Sequence, residues 1–139
     1  MNSGKVKPIG LALIICDQVI TDQDTKKRSL IGIFNNVQAR QFPCAHPHMC
    51  VFVSVTGGHG EVDAEVRCSR EGDGLDEAPC FALKGRIRFD SPLHIVEINF
   101  DLRNVQFHQA GAYRIDLLCD GVPVLQRPFT VKELEVRNE

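Results

Sequence analysis

Residues 9–37, IGLALIICDQVITDQDTKKRSLIGIFNNV, decide the fold. Two apolar runs, residues 9–20 and 30–37, flank a polar connection at residues 21–29. That is the sequence form of a β-hairpin with a longer loop. A helix is disfavoured in the first run. Gly10 stands near its start, no N-cap precedes it, and Ile14, Ile15, Val19 and Ile20 are β-branched. Leu11, Leu13 and Ile15 point one way along the strand, and Ala12, Ile14 and Cys16 point the other. On the return run Leu30 and Phe34 share one face, and Ile31, Ile33 and Val37 share the opposite one. An antiparallel strand at a sandwich surface normally keeps one face polar. This hairpin has no polar face, so its second face must be covered by another segment or by another chain. Leu11, Leu13, Ile15, Leu30 and Phe34 are the interface candidates on that argument.

The rest of the chain keeps the same period of two. Val51, Val53 and Val55 alternate with Ser54 and Thr56. Gly57-Gly58-His59-Gly60 then turns the chain into Val62, Ala64, Val66 and Cys68, and the pair reads as a hairpin. A polar loop fills residues 71–79. Phe81, Leu83, Ile87 and Phe89 alternate with Lys84, Arg86 and Arg88, and Val96, Ile98, Phe100 and Leu102 alternate with Glu97, Asn99 and Asp101. Residues 103–111 read as a link into Tyr113, Ile115, Leu117 and Cys119. Asp120-Gly121 is a tight-turn pair. Leu125, Phe129 and Val131 form the last strand, which Pro128 marks as an edge or bulged strand. Gly111 two residues before Tyr113 suggests a tyrosine corner, whose hydroxyl returns to nearby backbone. The sum is about eight strands and no helix beyond one turn in the charged tail. The expected fold is all-β, a two-sheet antiparallel β-sandwich of immunoglobulin-like or C2-like type. It has an arm at residues 1–8, one domain at 9–131 and a tail at 132–139.

Composition narrows the function classes. The 139 residues suit one domain. Sixteen basic and eighteen acidic side chains give a net charge of −2, which argues against nucleic acid or an anionic membrane as partner. The first apolar run is short of the ~20 residues a membrane helix needs, and Asp17 closes it without a small-residue cleavage site. The expectation is a soluble, unprocessed protein. Six cysteines, at 16, 44, 50, 68, 80 and 119, stand at wide and irregular spacings. Cys16, Cys68 and Cys119 fall in alternating strands, where a thiol serves as a small hydrophobe, so a reducing cytoplasm is expected.

The motif CDQVIT at residues 16–21, KRSLIGIF at 27–34, Phe42-Pro43, His46-Pro47, Gly111-x-Tyr113 and Asp120-Gly121 together resemble a family of small bacterial proteins of unknown function. The resemblance spans residues 11–131. It implies a single compact β-sandwich and carries no activity, ligand or catalytic residue.

Among chemical motifs, Cys44-x-His46-x-His48-x-Cys50 is the metal candidate, with four zinc-type donors in seven residues. A plain strand would put all four on one face, whereas Pro43 and Pro47 favour a three-residue repeat and the paired spacing of structural sites is missing. His59 and Glu61 flank a turn without an adjacent nucleophile. Gly57-Gly58-x-Gly60 lacks the lysine and following helix of a phosphate loop. Lys26, Lys27 and Arg28 make a short basic tip, and Asp17 is expected to hydrogen-bond across the hairpin. The expected function is a non-enzymatic interaction or structural module that uses no cofactor and binds another protein or its own copy. The alternative is a metal- or small-ligand-binding protein using residues 44–50.

Overall fold

The computed structural model describes residues 6–73 and 77–135, so parts of the expected arm, loop and tail lie outside the described residues. Nine strands follow one another: β1 Ile9–Thr21, β2 Arg28–Ile33, β3 Asn36–Ala39, β4 Cys44–Thr56, β5 Gly60–Arg70, β6 Phe81–Phe89, β7 Val96–Phe107, β8 Gly111–Cys119 and β9 Val122–Glu133. They form a four-stranded sheet, β2-β1-β4-β7, and a five-stranded sheet, β3-β9-β8-β5-β6. All described residues in regular structure are in strands, so the all-β reading holds. No helix among them is long and apolar enough to cross a membrane.

Several expectations change in detail. The return run of the hairpin is two strands in two sheets. β2 pairs with β1, then the chain crosses and β3 runs parallel to β9, so the pairing is not purely antiparallel. Gly57–Gly60 does not close a hairpin, because β4 and β5 lie in different sheets. Alternation reports which face is buried, and both strands bury their even or odd face in the same core whichever sheet holds them. β4 begins at Cys44, and β7 runs on to Phe107 through the expected link. β9 continues to Glu133 in place of a helical turn, held by β3 through pairs from Asn36–Thr130 to Ala39–Glu133. Pro128 lies just before that pairing begins, where the missing N–H costs no ladder bond.

The core is the space between the sheets. Leu13, Ile15, Met49, Val51, Val53, Phe100 and Phe107 from one sheet meet Val66, Ile87, Tyr113, Ile115, Leu117 and Phe129 from the other. The Tyr113 hydroxyl donates to the Gln109 carbonyl at 2.7 Å, which is the expected corner. Asp120 and Gly121 both take positive φ, 49° and 79°, and join β8 to β9 as a two-residue turn of the mirror-image type that hairpin twist favours. The Phe42–Pro43 peptide is cis.

The β1–β2 hairpin does not continue the plane of its sheet. β1 pairs with β4 from Ile9 to Cys16, and with β2 from Cys16 to Thr21, so Cys16 is the pivot. Arg28 sits opposite Thr21, and Glu97 sits opposite Ser54, which sits opposite Ala12. In a flat sheet, the nine residues from Ala12 to Thr21 would hold these two side chains roughly 30 Å apart along the strands. Yet Arg28 Nη1 lies 2.9 Å from Glu97 Oε1. The distal half of the hairpin therefore folds back over the outer face of the four-stranded sheet. Burial agrees. Cys16 and Phe52 sit on that outer face, away from the core cluster, and are 0% and 7% exposed. Gly32 makes the bend possible: its φ is +70°, and a Cβ there would collide with the Asp17 carboxylate.

Candidate functional site

Beside the covered face, β4 and β7 bring three donor groups together. His48, Cys50 and Asp101 offer ligand atoms that all lie within 4.8 Å of one another. His48 Nε2 is 2.8 Å from Asp101 Oδ1 and 3.8 Å from Cys50 Sγ. Arg103 Nε lies 3.3 Å from the same carboxylate oxygen. His48 and Cys50 are two apart in β4 and so share a face, and Asp101 stands directly opposite Cys50 in the ladder. Cys50 is buried, and its thiol is pushed up chiefly by burial. Cys16, its cross-strand partner, is pushed up by burial and then by Cys50. Both thiols sit where the ribbon crosses, and the Cys50 Sγ approaches the Asp17 carbonyl at 3.9 Å.

The four residues expected to act together are divided two and two. Cross-strand partners share a face, and Cys44 and His46 stand opposite Phe107 and Val105, both in the core. His46 accordingly packs against Phe34, the rings tilted at 45° with centroids 5.5 Å apart. His48 and Cys50 stand opposite Arg103 and Asp101 on the outer face. The change of face occurs at Pro47 and at Asn104, whose φ of 51° is left-handed. A strand with unbroken alternation would have kept all four together. Asp101, the third donor, comes from β7 and is invisible to any reading of the 44–50 segment alone. With a histidine nitrogen, a thiolate and a carboxylate, the set suits a zinc-type cation and leaves a fourth position open.

The five interface candidates are dispersed. Leu13 and Ile15 lie inside the sandwich against the five-stranded sheet. Phe34 is half-buried against Phe129 and His46, and Leu30 is half-buried beside Val19, its partner in the ribbon. Leu11 is exposed, next to a register shift in β1 between Gly10 and Ala12. A segment of the same chain thus covers the hairpin's second apolar face, namely the hairpin's own distal half. What the ribbon turns outward is a different set: Ile20, Ile31 and Ile33, at 42%, 44% and 56% exposure.

The remaining candidates have local roles. Glu61 pairs across the ladder with Arg86 at 3.4 Å and Arg88 at 3.9 Å, while His59 is exposed at the arch. Asp17 faces Gly32 across the hairpin. Arg28 of the basic tip is the residue that fastens the ribbon to Glu97.

Fold and site together define an all-β protein of two packed sheets with a histidine–cysteine–aspartate cluster beside a folded-back hairpin. The chain belongs to the family of unknown function DUF6941, whose model matches residues 11–132. No curated protein matches it.

Proposed function

We propose that the chain is a non-enzymatic binding module that associates with a second copy of itself through the outward face of the β1–β2 ribbon. One observation carries this reading: Ile20, Ile31 and Ile33 are exposed on a ribbon whose other face is already committed to the chain's own sheet. Ile31 and Ile33 are two apart in β2, and Ile20 lies diagonally across from Ile31, so the three form one stripe. β2 is also the terminal strand of its sheet, and its free backbone groups invite strand addition. An isologous contact, stripe on stripe, would bury both features at once. The near-balanced charge favours a protein partner over nucleic acid. Six free cysteines support a reducing compartment such as the cytoplasm. The two-layer packing, the crossing β3 and the Tyr113 corner support an immunoglobulin-like sandwich. Light scattering on the eluting protein tests the reading. The expected mass is twice the 15.5 kDa of the chain, falling to the single-chain value for Ile31→Asp. A monomer at concentrations of tens of micromolar contradicts it.

The His48–Cys50–Asp101 cluster favours a second reading, in which the module binds a divalent cation of the zinc class. Elemental analysis of protein purified without chelator decides it. One equivalent of zinc, lost in Asp101→Asn and Cys50→Ser, is expected; wild-type protein that neither carries zinc nor takes it up from solution rules it out.

A further inference from the structure

Two other thiols meet where β5 ends and β6 begins. Cys68 lies in β5 and is fully buried, while Cys80 immediately precedes β6 and is half-buried. The Cys80 N–H donates to the Cys68 carbonyl at 2.6 Å, and Cys68 pairs with Phe81 in the ladder. The side chains therefore leave adjoining points of the backbone, and the thiols are within hydrogen-bonding reach. Cys80 opens onto a hollow of about 310 Å³ that it lines with Arg70, Asp73, His108 and Tyr113. Cys68 does not line that hollow and stands behind Cys80. This arrangement puts one thiol where a small molecule can reach it and the second where only the first can. The Cys16–Cys50 pair differs, since both of its members are buried under the ribbon.

We propose that Cys80 and Cys68 are an oxidisable thiol pair, in which hydrogen peroxide reacts at Cys80 and Cys68 closes a disulfide. The Cys80 thiolate attacks one peroxide oxygen, the O–O bond breaks, and hydroxide departs, taking up a proton to become water. Cys80 is left as a sulfenic acid. The Cys68 sulfur then attacks the Cys80 sulfur, the S–O bond breaks, and the Cys68 proton leaves with the hydroxyl as a second water. The two thiols lose two electrons and the peroxide gains them. The surroundings fit these roles. The Cys68 S–H directed at Cys80, with Arg70 nearby, holds the Cys80 thiol below the usual range against its partial burial and the charge of Asp73. Cys68 keeps its proton, being pushed up by that same hydrogen bond and by burial.

Peptide mass mapping of the full chain after brief exposure to a few equivalents of hydrogen peroxide tests the proposal. The expected product is a Cys68–Cys80 cross-link, formed before any loss of alkylatable Cys44, Cys16 or Cys119. Cys68→Ala is expected to trap Cys80 as a dimedone adduct, and Cys80→Ser to slow peroxide consumption at least tenfold. Cys80 persisting as a free thiol while another cysteine oxidises overturns the proposal. So does wild-type Cys80 passing to sulfinic acid without the cross-link. The wild-type mapping decides between these outcomes even if the Cys68→Ala chain fails to fold.

Discussion

Replacing Gly32 with alanine strikes the bend that folds the hairpin onto its own sheet. Two costs add. A side chain held at φ +70° costs about 1–2 kcal/mol. The new Cβ also meets the Asp17 carboxylate, and turning that exposed side chain out of its rotamer costs a further ~0.5–1.5 kcal/mol. The expected loss is therefore about 1.5–3.5 kcal/mol. With a urea slope of about 2 kcal/mol per molar, the midpoint falls by about 0.8–1.8 M. Native-state thiol labelling gives a second, local readout. Cys16 and Cys50 are covered by the ribbon and should label faster in Gly32→Ala, while Cys68 and Cys119, buried in the core, should not. Adding Asp17→Ala should recover the collision share but not the backbone share. A midpoint within about 0.3 M of wild type, with unchanged labelling of Cys16 and Cys50, would refute the reasoning.

Three further outcomes follow from single contacts. Tyr113→Phe removes the 2.7 Å bond to the Gln109 carbonyl and should cost about 1–1.5 kcal/mol in chemical denaturation, with the fold unchanged. Asp116 is fully buried with Arg114 Nε 2.9 Å away, so Asp116→Ala leaves a largely buried guanidinium without its main partner. The loss should be about 3 kcal/mol, and changing Arg114→Met as well should recover part of it. Asp22 accepts the Asp24 and Thr25 N–H groups at 2.9 and 2.8 Å, and the bond from Thr25 and then that from Asp24 hold its carboxyl below the usual range. A depressed carboxyl stabilises its loop above the unfolded-state value, and that contribution is lost as pH falls through the folded value. An NMR titration should place the Asp22 midpoint below those of carboxylates that accept no backbone N–H, and Asp22→Ala should remove the pH dependence of the loop amides.

The strands were readable because each buries one face in a single shared core. Val51, Val66, Ile115 and Phe129 all fall on the expected inward faces, whereas Leu13 and Ile15, expected at an interface, lie in the core. Sheet membership was not readable, because alternation around the glycine arch at residues 57–60 is the same for a hairpin as for a crossing between layers. The candidate site was half-legible. His48 and Cys50 were singled out, but the change of face at Pro47 needs Asn104 on another strand, and Asp101 joins only through the β4–β7 register. The doubled apolar faces of the hairpin correctly signalled that something must cover them. That the cover is the hairpin itself depends on an ion pair between residues 69 apart in sequence, Arg28 and Glu97. Its one local trace is a glycine facing an aspartate at the pivot. The Cys68–Cys80 approach likewise spans a polar loop and leaves no spacing motif.

The folded-back ribbon underlies both the covered thiols and the outward isoleucine stripe, and one distance tests it. Nitroxide labels on Arg28→Cys and Glu97→Cys, in a chain whose reactive native thiols are first blocked, report it by dipolar broadening of the electron paramagnetic resonance spectrum. Side chains that meet in the native chain should keep the labels within about 20 Å and broaden the spectrum strongly. A ribbon continuing the plane of its sheet would hold the two positions roughly 30 Å or more apart and leave the spectrum unbroadened.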